Sequence, residues 1–153
     1  MRLEHSLEMA APVSTVWRLT TDVEHWPELF PTVTSVQREG VQREGVQCEG
    51  DGEFGVGSTA MIKQPGQRAT RWTVTVFEPE ARFEWEASVY GVRTVARHLV
   101  EPTATGARNT LILELSGRGS NLMGRLVGRK MRTVLATEND GFRRAAEAHA
   151  TAG

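Results

Sequence analysis

RFEWEASVYGVRTVARHLVEPTATGARNTLILELS, residues 82–116, is the stretch on which the fold turns. Three runs of alternating side chains follow one another in it. Arg82 to Ser88 places Phe83, Trp85 and Ala87 on one face, Val92 to Glu101 follows the Tyr90-Gly91 spacer, and Ala107 to Ser116 aligns Leu111, Leu113 and Leu115. A strand sends successive side chains to opposite faces, and spacers as short as Tyr90-Gly91 and Pro102 to Gly106 return the chain antiparallel to itself. An antiparallel meander with one wet face is the reading.

Upstream the same period continues. Arg71 to Phe77 aligns Trp72, Val74 and Val76, and Glu53 to Lys63 is a further strand closed by Pro65-Gly66. Pro31 opens an extended segment over Thr32 to Arg38. Residues 2–10 put Leu3, His5, Leu7 and Met9 opposite Arg2, Glu4, Ser6 and Glu8. Between this first strand and Pro31, Pro12 suits the first turn of a helix carrying Val13, Val16 and Trp17. Asp22 can cap a second short helix, which Trp26-Pro27 must end or bend.

Downstream the period changes. Residues 121–150 contain no proline. With Met123 at 0° and about 100° per residue, Val134, Val127, Ala145, Met131 and Phe142 fall between about 20° and 100°. This predicts one long amphipathic helix. The order is strand, two short helices, six strands and a long helix, an α+β fold in a single domain over 1–153.

One segment obeys neither period: VQREG at 36–40, VQREG again at 41–45 and VQCEG at 46–50. A spacing of five sends Val36 and Val41 to opposite faces of a strand and does not close on a helix. Residues 36–52 are read as an extended repeat loop or elongated hairpin, a tolerated surface insertion.

Composition narrows the function. With 153 residues, 39% of them hydrophobic, the chain can build one core unaided. Eighteen basic against nineteen acidic residues disfavour a nucleic-acid binder. Cys48 is the single cysteine, which excludes an intrachain disulfide and a Cys-based zinc site. The charged first residues do not read as a secretory leader, and no run reaches the about 18 apolar residues of a spanning helix, so a cytoplasmic protein is expected. There is no phosphate loop, HExxH or nucleophile elbow, and His5, His25, His98 and His149 are scattered. Neither a metal nor another cofactor is expected.

The succession Ala-Pro–Val-Trp after the first strand, Asp22, Trp26-Pro27, Pro31, Val56-Gly57-Ser58, Trp72-x-Val74, Phe83-x-Trp85, His98-x-x-Glu101-Pro102 and the terminal helix resembles the START-like helix-grip superfamily. Its bacterial polyketide cyclase/dehydrase and lipid-transport branch is the most similar. The resemblance implies a seven-stranded antiparallel sheet curved around the long helix, with an apolar cavity between them. The tripled repeat departs from that family, in which the hairpin is short.

Several side chains are candidates for a site in such a cavity. His98 shares the phase of Thr94, Ala96 and Val100, opposite Arg93, Arg97 and Glu101, and is either a core histidine or a hydrogen-bonding acid or base. Glu138 falls at about 60° in the apolar stripe, where a carboxylate must be paired or raised in pKa. His98 and Glu138 are the catalytic candidates, each the other's expected partner directly or through a water or ligand, with His5 as a further polar group. Phe30, Trp72, Phe83, Trp85, Thr94, Met131 and Val134 are the expected ligand walls, whereas Trp17 and Trp26 are read as anchors for the short helices. Arg118, Arg125, Arg129, Lys130 and Arg132 form a cationic run with no intervening acid, a solvated face or an attraction for anionic headgroups.

Three functions remain open. The first is binding of a small hydrophobic ligand, lipid or polyketide-like, with no catalysis. The second is an aromatase/cyclase-type enzyme with His98 as acid or base, and the third an interaction module touching a protein or membrane. A monomer or homodimer is expected.

Overall fold

Eight antiparallel strands form one sheet in the computed structural model, which describes residues 1–43, 46–48 and 53–152. In chain order the elements are β1 (Arg2–Met9), α1 (Val13–Thr21), a 3-10 turn (Val23–His25), α2 (Trp26–Leu29), β2 (Ser35–Arg43), β3 (Val46–Cys48), β4 (Ser58–Lys63), β5 (Thr70–Glu78), β6 (Arg82–Val89), β7 (Val92–Thr103), β8 (Gly106–Ser116) and α3 (Ser120–Ala152). The spatial order is β1-β8-β7-β6-β5-β4-β2-β3. Seven strands are the expected ones, and the three-residue β3 is an addition made by the repeat. α3 lies across the inner face, against β1 and β8, and α1 packs beside it.

Alternation sorts the sheet's two faces. Inward, Phe83, Trp85, Val100, Leu111 and Leu115 are buried. Outward, charges pair across strands: Arg97 reaches Glu84 at 3.1 Å and Glu114 at 2.5 Å, and Arg93 reaches Glu86 at 2.5 Å. The wet face is thus a lattice of ion pairs, each contributing little in water.

The repeat is strand where a loop was one expectation. β2 runs through the first pentad into the second and pairs with β4 on one side and β3 on the other. A bulge between Arg38 and Gly40 absorbs the odd residue: Val36 pairs with Ile62 and Val41 with Ser58, four positions apart on β4. A bulge sets two residues against one, so the five-residue spacing becomes four in register. Residues 44–45 and 49–52 of the expected insertion lie outside the described residues.

Trp26-Pro27 ends the 3-10 turn that follows Asp22, as expected, and also opens α2. Proline fits a first helical turn, whose N–H has no partner in any case. Asp22 caps no helix with its side chain; its carboxylate takes His25 Nδ1 at 2.8 Å. α2 sits close on α3 at Gly141, where a Cβ would stand 2.6 Å from the Leu29 carbonyl oxygen. That close approach seats Phe30 and Trp26 against Phe142, with ring centroids at 5.2 and 5.8 Å.

Candidate ligand cavity

Between α3 and the inner face of the sheet lies a cavity of about 320 Å³. Its sheet wall comes from β4 to β8 and includes Ile62, Trp72, Trp85, Thr94 and Leu113. Met123, Val127, Met131, Val134 and Glu138 supply the helix wall, one residue per turn of α3. The spacing is the physical reason: positions three and four apart share a helix face.

The cavity has two distinct ends. β8 finishes at Ser116 opposite Arg93, beside the Tyr90-Gly91 turn, so α3 begins at that end of the sheet. Exposed Tyr90 and Lys130 line the cavity there. At the other end stand buried His98 and Trp26, with Glu138 from the later turns of α3.

His98 is held by aromatic packing. It lies opposite Phe83 on β6 and Leu111 on β8, and its ring stacks on Phe83 at 4.5 Å and 8°. Trp26 closes a further side at 5.2 Å. Nδ1 is sealed with no hydrogen-bond partner among the described residues. Burial pushes the imidazole down from 6.5 to about 3, since an apolar enclosure penalises the cation. The ring is neutral at physiological pH.

Glu138 is engaged elsewhere. Thr32 Oγ1 donates to Glu138 Oε1 at 2.8 Å. Burial pushes the carboxyl up from 4.5 to about 7, with the threonine bond working against the rise. No direct hydrogen bond joins His98 to Glu138 among the described residues. Pairing would raise the histidine and lower the glutamate, and each shifts instead as a group buried alone.

His5 joins neither of them. Asn139 Nδ2 lies 3.1 Å from His5 Nδ1 and donates to the His5 carbonyl at 3.2 Å. It also donates to the Asn109 carbonyl at 3.1 Å, and Asn109 Nδ2 donates back to Asn139 Oδ1 at 2.9 Å. This buried knot ties β1, β8 and α3 together. Asn109 was visible as a polar residue in the inward phase of Leu111 and Leu113; Asn139, at about 160°, lies outside the apolar stripe and carried no such signal.

Of the expected walls, Trp72, Trp85, Thr94, His98, Met131, Val134 and Glu138 are brought around one cavity. Phe83 and Phe30 are not: both are buried behind it, Phe83 under the His98 ring and Phe30 against Phe142. Inward phase alone does not separate a lining residue from one packed solid. Trp26, read as a helix anchor, lines the cavity as well. Among the described residues no cluster of three His, Cys, Asp or Glu side chains is placed to hold a metal, and no helix is long and apolar enough to cross a membrane.

Comparison with known proteins places the architecture. Residues 1–147 match the family model described as polyketide cyclase / dehydrase and lipid transport. A granaticin polyketide synthase bifunctional cyclase/dehydratase from Streptomyces virginiae is 45% identical over 38 residues, which is 25% of this chain and 12% of that protein. The chain thus spans only a small part of that relative. Among solved structures, the di-domain ARO/CYC BexL from the BE-7585A biosynthetic pathway superposes with a TM-score of 0.67 at 21% identity, over 96% of this chain and 46% of that one. A hypothetical protein from Helicobacter pylori, jhp0584, does so with a TM-score of 0.72 at 14% identity, over 95% and 86% of the two chains.

Proposed function

We propose, from the premise that the chain belongs to the polyketide cyclase / dehydrase and lipid transport family, that it binds a small, neutral, mostly apolar molecule with an oxygen acceptor at one end. The observation that carries this reading is the polar end of an apolar cavity, where Nδ1 of a neutral His98 has no hydrogen-bond partner among the described residues. A sealed N–H without an acceptor is costlier and rarer than a sealed lone pair. On that ground Nδ1 is bare and the ring hydrogen sits on Nε2, available to a ligand carbonyl or hydroxyl. Glu138, held up at about 7, is largely uncharged below that pH and adds a second donor. Trp72 and Trp85, with ring centroids 5.7 Å apart, offer flat surface for the ligand's body. A cavity of about 320 Å³ lies at the small end of ligand sites, which run from about 300 to 1,000 Å³.

The test has two stages. Native mass spectrometry of the purified protein looks for a co-purified small molecule. Tryptophan fluorescence then follows titration with a neutral polycyclic ketone, in wild type and His98→Ala. Saturable quenching is expected, about fivefold weaker in the variant for one lost hydrogen bond of about 1 kcal/mol. No saturable change with such probes, and nothing co-purifying, overturns the binding reading; equal affinities overturn the role of His98.

A second reading, a cyclase or dehydratase, has support in the family and in the likeness to the granaticin protein. Its proton carrier would be Glu138 more readily than His98. A carboxyl near 7 can exchange a proton at neutral pH, whereas an imidazole near 3 is a weak base there.

A further inference from the structure

Helix α3 has a second face that the cavity does not use. Opposite the inward stripe, Leu122 and Leu126 stand one turn apart at 62% and 76% exposure. At about 100° per residue they lie between Arg125 and Arg129 on one flank and Lys130 on the other. All three cations are exposed. Between Glu114 and Glu138 the chain contains no acid. Arg118, Arg125, Arg129, Lys130 and Arg132 make no ion pair among the described residues, whereas Arg82, Arg93, Arg97 and Arg108 on the sheet are all paired.

The place of this face matters as much as its make-up. It belongs to the first turns of α3, at the end of the sheet that carries the Tyr90-Gly91 turn, where Tyr90 and Lys130 line the cavity. Tyr90 is 77% exposed and holds φ at +51°, a left-handed conformation that favours Asn or Gly over a bulky ring. Tyr90, Leu122 and Leu126 are thus large apolar side chains standing in water at this end of the fold, the two leucines among cations without an ion pair among the described residues.

We propose that this face docks on an anionic lipid bilayer, which sets the Tyr90 and Lys130 end of the cavity against the membrane. Exposed leucines interleaved with cations are the make-up of helices that lie in a bilayer interface. The unpaired cations complement a negative surface, and each contributes about 1 kcal/mol there. A protein partner fits less well. A convex helix face with two leucines between long cationic side chains has no pocket for the anchored, desolvated contacts of a protein interface. A bilayer needs no such shape.

Co-sedimentation of the full chain with vesicles tests this. Phosphatidylcholine vesicles containing phosphatidylglycerol are expected to bind, and phosphatidylcholine alone not, with binding weakened by added salt. Arg125→Gln/Arg129→Gln is expected to bind about thirtyfold more weakly, the equivalent of two cations at about 1 kcal/mol each. Leu122→Ala/Leu126→Ala is expected to lose at least tenfold. All four positions are exposed, so far-UV circular dichroism and melting should stay as in wild type; a melting change would move the test to Arg125→Lys/Arg129→Lys, expected to bind as wild type. Equal binding to both vesicles, wild-type affinity in the two loss variants, or retention by an acidic protein with none by vesicles overturns the proposal.

Discussion

Leu113 and Leu115 stand two residues apart on the same face of β8, yet they have different surroundings. Leu115 is buried to 1% exposure in packed protein, and Leu113 is half-buried on the cavity wall. Truncating a packed leucine loses both its transfer energy and the contacts around the hole it leaves, about 2–5 kcal/mol. Leu115→Ala is expected to fall in that range by urea unfolding. Leu113→Ala is expected below about 2 kcal/mol, because part of that side chain meets open space already. Equal costs would mean that the cavity is closed in solution. Alternation identified both residues as inward, and inwardness was all it could identify.

Among the elements, β2 shows how a sequence period and a structural period are reconciled. Five-residue copies cannot continue a two-residue pleat, and the bulge at Arg38–Gly40 takes up the odd position. Deleting Val41 to Gly45 brings the next copy, Val46-Gln47-Cys48, into the same place in the chain, with one residue type changed. The expected cost is under about 1 kcal/mol, or about 2–4 °C in melting temperature for a domain of this size. A fall of ten degrees or more would show that the deleted pentad is packed structure with no substitute. α3 is the opposite case. Its period is local and unbroken, so its existence and inward stripe were legible along residues 121–150. The bulge was not, because pairing with β4 decides where the extra residue goes.

For the whole molecule, two inward-facing groups oppose one another in pH. The carboxyl of Glu138 rises from 4.5 to about 7 on folding, so its stabilisation is complete below 4.5 and is lost as pH rises through 7. The imidazole of His98 falls from 6.5 to about 3, so its stabilisation is complete above 6.5 and is lost as pH falls through 3. Between about 4.5 and 6.5 the two slopes have opposite signs, each at most about 1.4 kcal/mol per pH unit and less for the partly accessible Glu138. Relative to wild type, Glu138→Gln is expected to gain stability as pH rises through that window, and His98→Phe to lose it. Denaturant unfolding at several pH values reads both. A variant whose curve runs parallel to wild type would show that its group is not buried alone. The same chain settled some of this without tertiary information: seven strands, a long helix, His98 turned inward and Glu138 in an apolar stripe. Those follow from backbone geometry, which repeats every two residues in a strand and every 3.6 in a helix wherever the chain goes. Only the tertiary structure decided that Thr32 takes Glu138 from 106 residues away, that Asn139 takes His5, and that Phe83 closes over His98 while Trp26 reaches the cavity. Such partners depend on how far each element is displaced across the curved sheet, and a local period holds no information about that displacement.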